Sequence, residues 1–304
     1  MKVVVTGAFG FVGLALLERL VARYPVIAVG HPPRVPVAVP DAVEVVYGDL
    51  ALAANHLDHE TAIVHLAGGG GEDECRRDPV AAVRTIVGGT SLLAAAATRA
   101  ASPVRLFAST IAVYGTARIP SGPYDEEDEA LADDVYGICK ATAEQVWTVH
   151  GGGTAFRMAN IYGVGRGVDL GLQGAIERFA RAAASGGELT VYGEGTQRID
   201  YVNIDDVCAA FEAGLVAGSG GLPPVINLGG GSPIAIGDLA RECIRAAERR
   251  GSRPSLRQVP APEGKLWPDR SLSIELARRA LGWEPQIGIE EGVEAMIDTM
   301  MGAT

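Results

Sequence analysis

Lysine, long apolar runs and paired cysteines are scarce in this chain, and each scarcity argues against a class of function. Only three of the 26 Lys and Arg residues are lysines, and the net charge of −11 gives no basic face for nucleic acid or an anionic membrane. No apolar run reaches the ~18 residues that span a bilayer. The four cysteines form no Cys-x-x-Cys pair, which predicts buried thiols in a reduced, cytoplasmic protein. His56 and His59 have no third ligand cluster, so no metal site is predicted.

A strand, a glycine turn and a helix open the chain. Residues 2–5 are a β-branched run that suits a buried parallel strand. Gly7, Gly10 and Gly13 follow at once, and an amphipathic helix begins near Phe11. The first glycine allows a tight turn, the second lets the backbone approach a pyrophosphate, and the third lets the helix pack on the strand. The helix N-terminus offers N–H groups to phosphates. This context predicts a dinucleotide site.

Strands alternate with helices along the sequence, which predicts a Rossmann-type, doubly wound parallel sheet. Predicted strands are 2–5, 26–29, 43–46, 62–66, 104–108, 154–159 and 225–228. Predicted helices are 11–23, 79–100, 134–149, 172–185, 205–217, 237–250 and 289–300. Right-handed crossovers place a ligand at the carboxyl ends of the strands.

Two parts are expected in this α/β chain. Residues 1–165 form the NAD(P)-binding Rossmann domain, and 201–230 return to it. Residues 166–200 and 231–304 mix helices with short extended pieces and read as a smaller α/β substrate-binding lobe.

Tyr136 and Lys140 stand four residues apart in a predicted helix, so their side chains share one face. A free tyrosine titrates at about pH 10, and a nearby cation favours the phenolate. The pair is therefore a candidate acid or base near neutral pH. The spacing alone leaves open an ordinary surface pair.

The glycine turn and the Tyr136/Lys140 pair together resemble the extended short-chain dehydrogenase/reductase superfamily. Further stretches narrow the resemblance to its NAD-dependent epimerase/dehydratase family, which mostly modifies nucleotide sugars. These stretches are His65-Leu-Ala67, Phe107 to Gly115, Arg157-Met-Ala-Asn160-Ile-Tyr-Gly163, Tyr192-Gly-Glu-Gly195-Thr-Gln197, Tyr201 to Asp206, Asn227-Leu-Gly-Gly and Leu281-Gly-Trp283-Glu-Pro285. They follow the family's order over nearly the whole chain.

The resemblance implies a role for each matching residue. Tyr136 resembles the acid/base, Lys140 the residue that holds the nicotinamide ribose and lowers the tyrosine pKa, and Thr110 the hydroxyl that binds the reacting sugar oxygen. The implied cofactor-binding residues are Gly7, Gly10, Phe11, Val12, Gly13, His31, Arg34, Asp49, Leu50, Leu66, Ala67, Ser109, Tyr136, Lys140 and Ala159. The implied substrate-binding residues are Thr110, Asn160, Tyr192, Gln197, Arg198 and Arg270.

Three of these residues have a purely structural alternative. Thr110 could cap its own loop at the strand end, Asp49 could cap a short helix at 51–57, and Asn160 could be a loop-stabilising amide.

The second strand departs from the family pattern. An acid near its end is expected to bind the ribose 2′-hydroxyl of NAD, and none occurs between Pro25 and Pro40. His31 and Arg34 suit the 2′-phosphate of NADP, which favours NADP over NAD; the alternative is a polar surface loop.

The active-site strand departs as well. Related 4,6-dehydratases carry Asp-Glu after the threonine, and related decarboxylases carry a glutamate where Ala112 stands. Ile111 and Ala112 cannot move protons, so dehydration and decarboxylation are not expected.

The residues implied for phosphate and sugar also differ. Ile199 replaces an arginine that grips the diphosphate in the family. Arg198 would point the opposite way on an extended segment, so Arg270 is a second candidate. The acidic run Glu72 to Glu74 suits either an amino sugar's ammonium or a helix N-terminus.

The resulting expectation is hydride transfer at a ring carbon, C4, of a nucleotide-diphosphate sugar by a 4-ketoreductase or a 4-epimerase. A reductase of a free sugar, a uronate or another ketone is the second hypothesis. A non-catalytic nucleotide-sensing regulator is the third, although such proteins usually lose the tyrosine or lysine. The resemblance also implies a homodimer through helices 79–100 and 134–149, with apolar contacts from Val80, Val83, Val87, Val135 and Val146.

Overall fold

Seven parallel strands form the main sheet of the computed structural model, which describes residues 1–33, 36–68, 71–116, 122–166, 174–218, 221–262 and 269–302. Numbered in chain order, they are β1 Lys2–Thr6, β2 Val26–Gly30, β3 Val43–Tyr47, β4 Thr61–His65, β5 Arg105–Thr110, β6 Thr154–Met158 and β11 Val225–Leu228. Their spatial order is β11-β6-β5-β4-β1-β2-β3. The predicted doubly wound, Rossmann-type sheet is confirmed, and every predicted strand is present.

Helices cover both faces of this sheet. They are α1 Phe11–Leu20, α2 Leu50–Ala54, α3 Glu72–Arg77, α4 Pro79–Ala82, α5 Gly89–Arg99, α6 Val135–Gln145 and α8 Ile204–Ala217. Successive strand residues point to opposite faces, so Val3 and Val5 join one apolar cluster and Val4 joins the other. The first cluster includes residues of α1 and α8, and the second includes residues of α5 and α6.

A continuous helix runs from Pro79 to Arg99 through a wider turn at Val83–Gly88. By length and composition it is the one helix in the described ranges that is apolar enough to cross a membrane. Leu93, Ala94 and Ala97 are buried against the sheet cluster. A second side of the helix is exposed, as the 76% exposure of Val80 shows.

The remaining elements build a smaller lobe. Its strands are β7 Asn160–Tyr162, β8 Glu188–Tyr192, β9 Arg198–Ile199, β10 Tyr201–Asn203, β12 Ile234–Ala235 and β13 Ser255–Val259, and its helices are α7 Ala175–Ala184, α9 Ile236–Glu248 and α11 Ile289–Gly302. Helix α10, Glu275–Leu281, packs instead on the first apolar cluster of the main sheet through Ala277. These strands pair as β7 with β10, β9 with β12 and β8 with β13. Apolar faces of α7, α9 and α11 form a separate cluster that includes Phe179, Leu239 and Met296.

Candidate active site

The glycine turn connects β1 directly to α1 at the carboxyl edge of the sheet. Gly7 has φ +66°, and a Cβ there would lie 2.6 Å from Ala67 N, so a side chain would collide with the end of β4. A Cβ at Gly13 would lie 2.4 Å from Gly7 O, which lets α1 pack close to the turn. Gly10 precedes α1 in an extended conformation, and the first helical turn carries no acidic residue.

These features fit the diphosphate of a dinucleotide. The first N–H groups of a helix have no intrahelical partner and form a positive dipole end. The ten-residue α1 presents them next to a turn that only glycine can form. When bound, NAD(P) would supply a hydride acceptor or donor.

The other predicted cofactor residues lie along the same edge of the sheet. His31 follows β2, Asp49 follows β3, and Leu66 and Ala67 follow β4. His31 Nε2 is 3.6 Å from Asp49 Oδ1, and both side chains are exposed. Asp49 precedes α2 without a side-chain capping hydrogen bond. Arg34 lies outside the described residues.

Thr110, Tyr136 and Lys140 come together where β5 meets α6. Thr110 is the last residue of β5, and Tyr136 lies in the first turn of α6, which Asp134 caps by accepting from Gly137 N at 3.0 Å. A hydrogen bond joins the Thr110 and Tyr136 hydroxyls. Thr110 Oγ1 also accepts from Ala112 N at 3.2 Å, so the hydroxyl caps its own loop as well.

The pKa of Tyr136 shifts against the expectation from spacing. Burial of its hydroxyl raises the pKa to about 12, and only the hydrogen bond with Thr110 opposes this shift among the main causes. Cys75, Glu72 and Asp134 raise it further. The pKa of Tyr136 in the protein alone is therefore raised and not lowered, because desolvation of the phenolate is the largest cause.

Lys140 is 4% exposed, and its Nζ lies 5.9 Å from the centre of the Tyr136 ring. Nζ donates to Ala108 O at 2.9 Å. Burial lowers the pKa of Lys140 to about 8, so the ammonium is kept near neutral pH at an energetic cost. A buried ammonium has three donors, and Lys140 thus has capacity left for the ribose hydroxyls that the resemblance assigns to it.

His65 lies behind this group and is structural. Its Nδ1 is 2.7 Å from Thr6 Oγ1 and its Nε2 is 3.0 Å from Thr90 Oγ1. Complete burial lowers the pKa of His65 to about 3, with a smaller contribution from Lys140. The imidazole is therefore neutral and joins β1, β4 and α5.

The turn after Thr110 is apolar. Ile111 and Ala112 belong to a short 3-10 helix, Ile111–Tyr114, and both are buried. Neither side chain can accept a proton. These two positions therefore offer no base that could remove a proton from a carbon atom of a sugar.

An open cavity of about 370 Å³ lies in the smaller lobe. It is lined by Ala175, Arg178, Phe179, Thr190, Tyr192, Gln197, Ile199, Ile236 and Pro262. Tyr192 and Gln197 are predicted substrate residues, and the cavity brings them together. Arg178 and Thr190 were not predicted; Arg178 directly precedes the buried Phe179 of the amphipathic α7 and carries no motif of its own.

The residues that were predicted to bind the substrate phosphates lie at different places relative to this cavity. Arg198 does not line this cavity, and its guanidinium donates to Pro233 O. Arg270 pairs through its backbone with Ile199, which does line the cavity. Asn160 Nδ2 donates to Asp200 O at 3.0 Å and so helps to hold its loop.

The acidic run forms the first turn of α3. Glu72, Asp73 and Glu74 lie where the helix dipole stabilises carboxylates, and Asp73 Oδ1 accepts from Arg76 Nη1 at 2.9 Å. Glu72 is also close enough to Tyr136 to raise the tyrosine pKa. The hydrogen bond between Asp73 and Arg76 supports a structural role of these acidic residues at the N-terminus of α3 over binding of an amino sugar's ammonium.

Comparison with known proteins agrees with this geometry. The family model of the NAD-dependent epimerase/dehydratase family matches residues 3–229. A dTDP-L-rhamnose 4-epimerase of Burkholderia thailandensis is 28% identical over 96% of this chain and 93% of its own. A probable UDP-glucuronate 4-epimerase of Rhizobium meliloti is 26% identical over 98% and 96%.

A solved structure is also similar to this protein over the whole chain. The UDP-glucose 4-epimerase of Thermus thermophilus, in complex with NAD, has a TM-score of 0.83 and 27% identity, and the match covers 100% of both chains. The family model spans well over half of the present sequence. The chain therefore belongs to the NAD-dependent epimerase/dehydratase family.

Proposed function

We propose that this protein transfers hydride at C4 of a nucleotide-diphosphate sugar, as a 4-epimerase or a 4-ketoreductase. The observation that carries the proposal is the convergence of Thr110, Tyr136 and Lys140 next to the glycine turn. Two relatives are named for 4-epimerisation of a dTDP-sugar and a UDP-sugar. Their similarity supports a nucleotide sugar as substrate.

Each residue has one task in this reaction. In the oxidative direction Tyr136 accepts the proton of the C4 hydroxyl while hydride leaves C4, and in the reductive direction it returns a proton to that oxygen. Thr110 orients the same oxygen by hydrogen bonding. Lys140 supplies a fixed positive charge beside the developing phenolate.

Apolar side chains restrict the reaction. Elimination or decarboxylation needs further acid/base groups near the sugar, and Ile111 and Ala112 provide none. Proton transfer is therefore confined to Tyr136 among the residues at the end of β5 and the start of α6. This supports hydride transfer without loss of water or carbon dioxide.

The test is incubation of purified protein with UDP- and dTDP-linked hydroxy and keto sugars and NAD(H) or NADP(H). Interconversion of C4 epimers with catalytic cofactor identifies an epimerase, and stoichiometric oxidation of added NAD(P)H identifies a ketoreductase. Turnover of free sugars with no turnover of nucleotide sugars would refute the nucleotide-sugar assignment.

A free sugar, uronate or other ketone is the second candidate. Ile199 favours it, because an apolar side chain lines the cavity where the family has a diphosphate-binding arginine. Equal kcat/KM with and without the nucleotide on the same sugar would establish this alternative.

NADPH is expected to bind more tightly than NADH. No acid follows β2, and His31 stands there beside Asp49. Replacing His31 with Ala should weaken NADPH binding about fivefold and leave NADH binding unchanged, since one exposed charge contact contributes about 1 kcal/mol. Fluorescence titration measures both constants, and exposed His59→Ala serves as the control. Tighter binding of NADH by the unaltered protein would contradict the preference.

A homodimer is also proposed, formed by the exposed sides of the 79–99 helix and α6. Val83 and Ile138 are 52% and 51% exposed on these helices. Val83→Asp should convert the dimer to a monomer, because a carboxylate would be buried without a partner. Light scattering after gel filtration measures the mass. Val216→Asp, at a 67% exposed valine of α8, is the matched control. A monomeric unaltered protein would contradict the proposal.

A further inference from the structure

Glu144 is a buried carboxylate one helical turn after Lys140 on α6, and it is 4% exposed. Its Oε2 accepts from Ser109 Oγ at 2.7 Å. Its Oε1 accepts from Arg157 Nη2 at 2.5 Å, and Arg157 Nε donates to both carboxylate oxygens at 3.1 Å. Ser109 and Arg157 are register partners on β5 and β6. One carboxylate thus ties a helix to two neighbouring strands.

Ser109 also stands between the two residues of β5 that contact the reactive pair. Ala108 O accepts from Lys140 Nζ, and the Thr110 hydroxyl binds the Tyr136 hydroxyl. Three successive residues of β5 therefore bind three residues that follow each other at one-turn intervals on α6. Ser109 is the middle residue of the three on the strand, and its partner Glu144 is the last of the three on the helix, so this contact helps to set the position of the helix against the strand.

Stability alone does not account for this network. A buried ion pair is often no more stabilising than apolar residues of similar size. The Arg157 guanidinium lies over the Tyr114 ring at 4.7 Å, yet its Nη1 is buried without a hydrogen-bond partner among the described residues. A carboxylate at position 144 is therefore better explained by its effect on a neighbour.

That neighbour is Lys140. Four titratable groups face it: Cys75 from α3, His65 from β4, and Tyr136 and Glu144 from its own helix. His65 is neutral, and the thiol of Cys75 has a raised pKa because it is buried, so it is uncharged as well. Cys75 and, after it, Glu144 oppose the desolvation that lowers the pKa of Lys140. Of the four groups, Glu144 is the one that forms an ion pair, with Arg157.

We propose that Glu144 is a positioning residue for the reaction proposed above. Through Ser109 it fixes Thr110 against Tyr136, and its carboxylate is the counter-charge that keeps Lys140 an ammonium. The inference rests on the proposed function for its kinetic readout.

The charge role is tested by the pH dependence of kcat. Glu144→Gln keeps the shape and removes the charge, so Lys140 should lose its proton at lower pH. The alkaline limb of the profile should move down by about one pH unit. Glu144→Gln leaves Arg157 unpaired and can fail to fold, so the double variant Glu144→Gln/Arg157→Gln is measured beside it. The double variant also removes the positive charge of Arg157, so its alkaline limb should move in the same direction by a smaller amount.

The alignment role is tested by Ser109→Ala, which cuts the link to the strand and leaves the ion pair. It should lower kcat about tenfold with an unchanged KM for the sugar and an unmoved alkaline limb. Restoring the hydroxyl by Ser109→Thr should recover part of the rate.

Glu212→Gln is the matched control. Glu212 is a buried carboxylate of α8 paired with Arg19 at 2.5 Å and Arg23 at 2.8 Å. It should lower thermal stability without moving the pH profile. An unmoved alkaline limb in the double variant, together with an unchanged kcat in Ser109→Ala, would overturn the inference and leave Glu144 a structural residue.

A measurement without sugar separates this inference from the proposed function. The affinity for NADH, followed by fluorescence across the same pH range, should weaken at lower pH in the double variant than in the unaltered protein. Absence of turnover with every nucleotide sugar would refute the proposed function alone. An unchanged pH dependence of NADH binding would refute the charge role of Glu144 and leave the proposed function standing.

Discussion

Tyr136→Phe is expected to lower kcat by about 10²–10⁴-fold, the range for loss of a general acid/base. In the proposed reaction, the phenol of Tyr136 is the group that exchanges a proton with the substrate oxygen. Folding should change little, because the variant loses one hydrogen bond to Thr110, worth about 1 kcal/mol. Steady-state kinetics and the thermal midpoint measure the two effects.

Tyr162→Phe is the control for this variant. Its hydroxyl donates to Gly288 O at 3.1 Å, and burial raises the pKa of Tyr162 to about 12, as it does for Tyr136. Tyr162 belongs to the apolar cluster of the smaller lobe. We expect a similar small loss of stability and an unchanged kcat. If Tyr136→Phe retains the full rate, the catalytic assignment is wrong and the regulator hypothesis is favoured.

The main sheet is predictable because its strands, apart from the edge strand β3, are largely buried on both faces and therefore give mostly apolar runs in the sequence. The run at residues 2–5 and the one at 225–228 identify the strands that become β1 and β11, although β11 lies at the far edge of the sheet. The short pieces of the smaller lobe are not predictable in the same way. Strands such as β9, with two residues, depend on a partner that only tertiary structure brings near.

In the candidate site, too, some features follow from the sequence and others depend on tertiary packing. Spacing predicts that Tyr136 and Lys140 share a helix face, but it carries no information on burial, so the sign of the tyrosine pKa shift was missed. Glu144 has the same i+4 spacing from Lys140, yet its contacts with Ser109 and Arg157 join strands 35 and 13 residues away in sequence. Such contacts follow from the packing of α6 on the sheet.

Lys140→Met should abolish most activity and make the protein more stable. Methionine has a similar length and no charge, so it removes the fixed positive charge beside Tyr136; we expect a decrease in kcat of about 10²–10³-fold and weaker cofactor binding. Replacing the exposed Lys2 with Met is the control, and it should change neither kcat nor the affinity for the cofactor. Kinetics and NADH titration provide the measurement.

The gain in stability follows from the pKa of Lys140. The side chain titrates at 10.5 when unperturbed and at about 8 in the folded protein, so below pH 8 folding keeps a buried charge at a cost of about 3 kcal/mol. Between pH 8 and 10.5 the unfolded chain binds the extra proton and the folded chain does not, and the free energy of unfolding therefore rises with pH.

Lys140→Met should lack this rise and should be the more stable protein at pH 7, as denaturant unfolding at several pH values will show. Equal stability of the two proteins at pH 7 would mean that the ammonium is solvated or paired. In that case, the argument that Lys140 is retained for function at the expense of folding would fail.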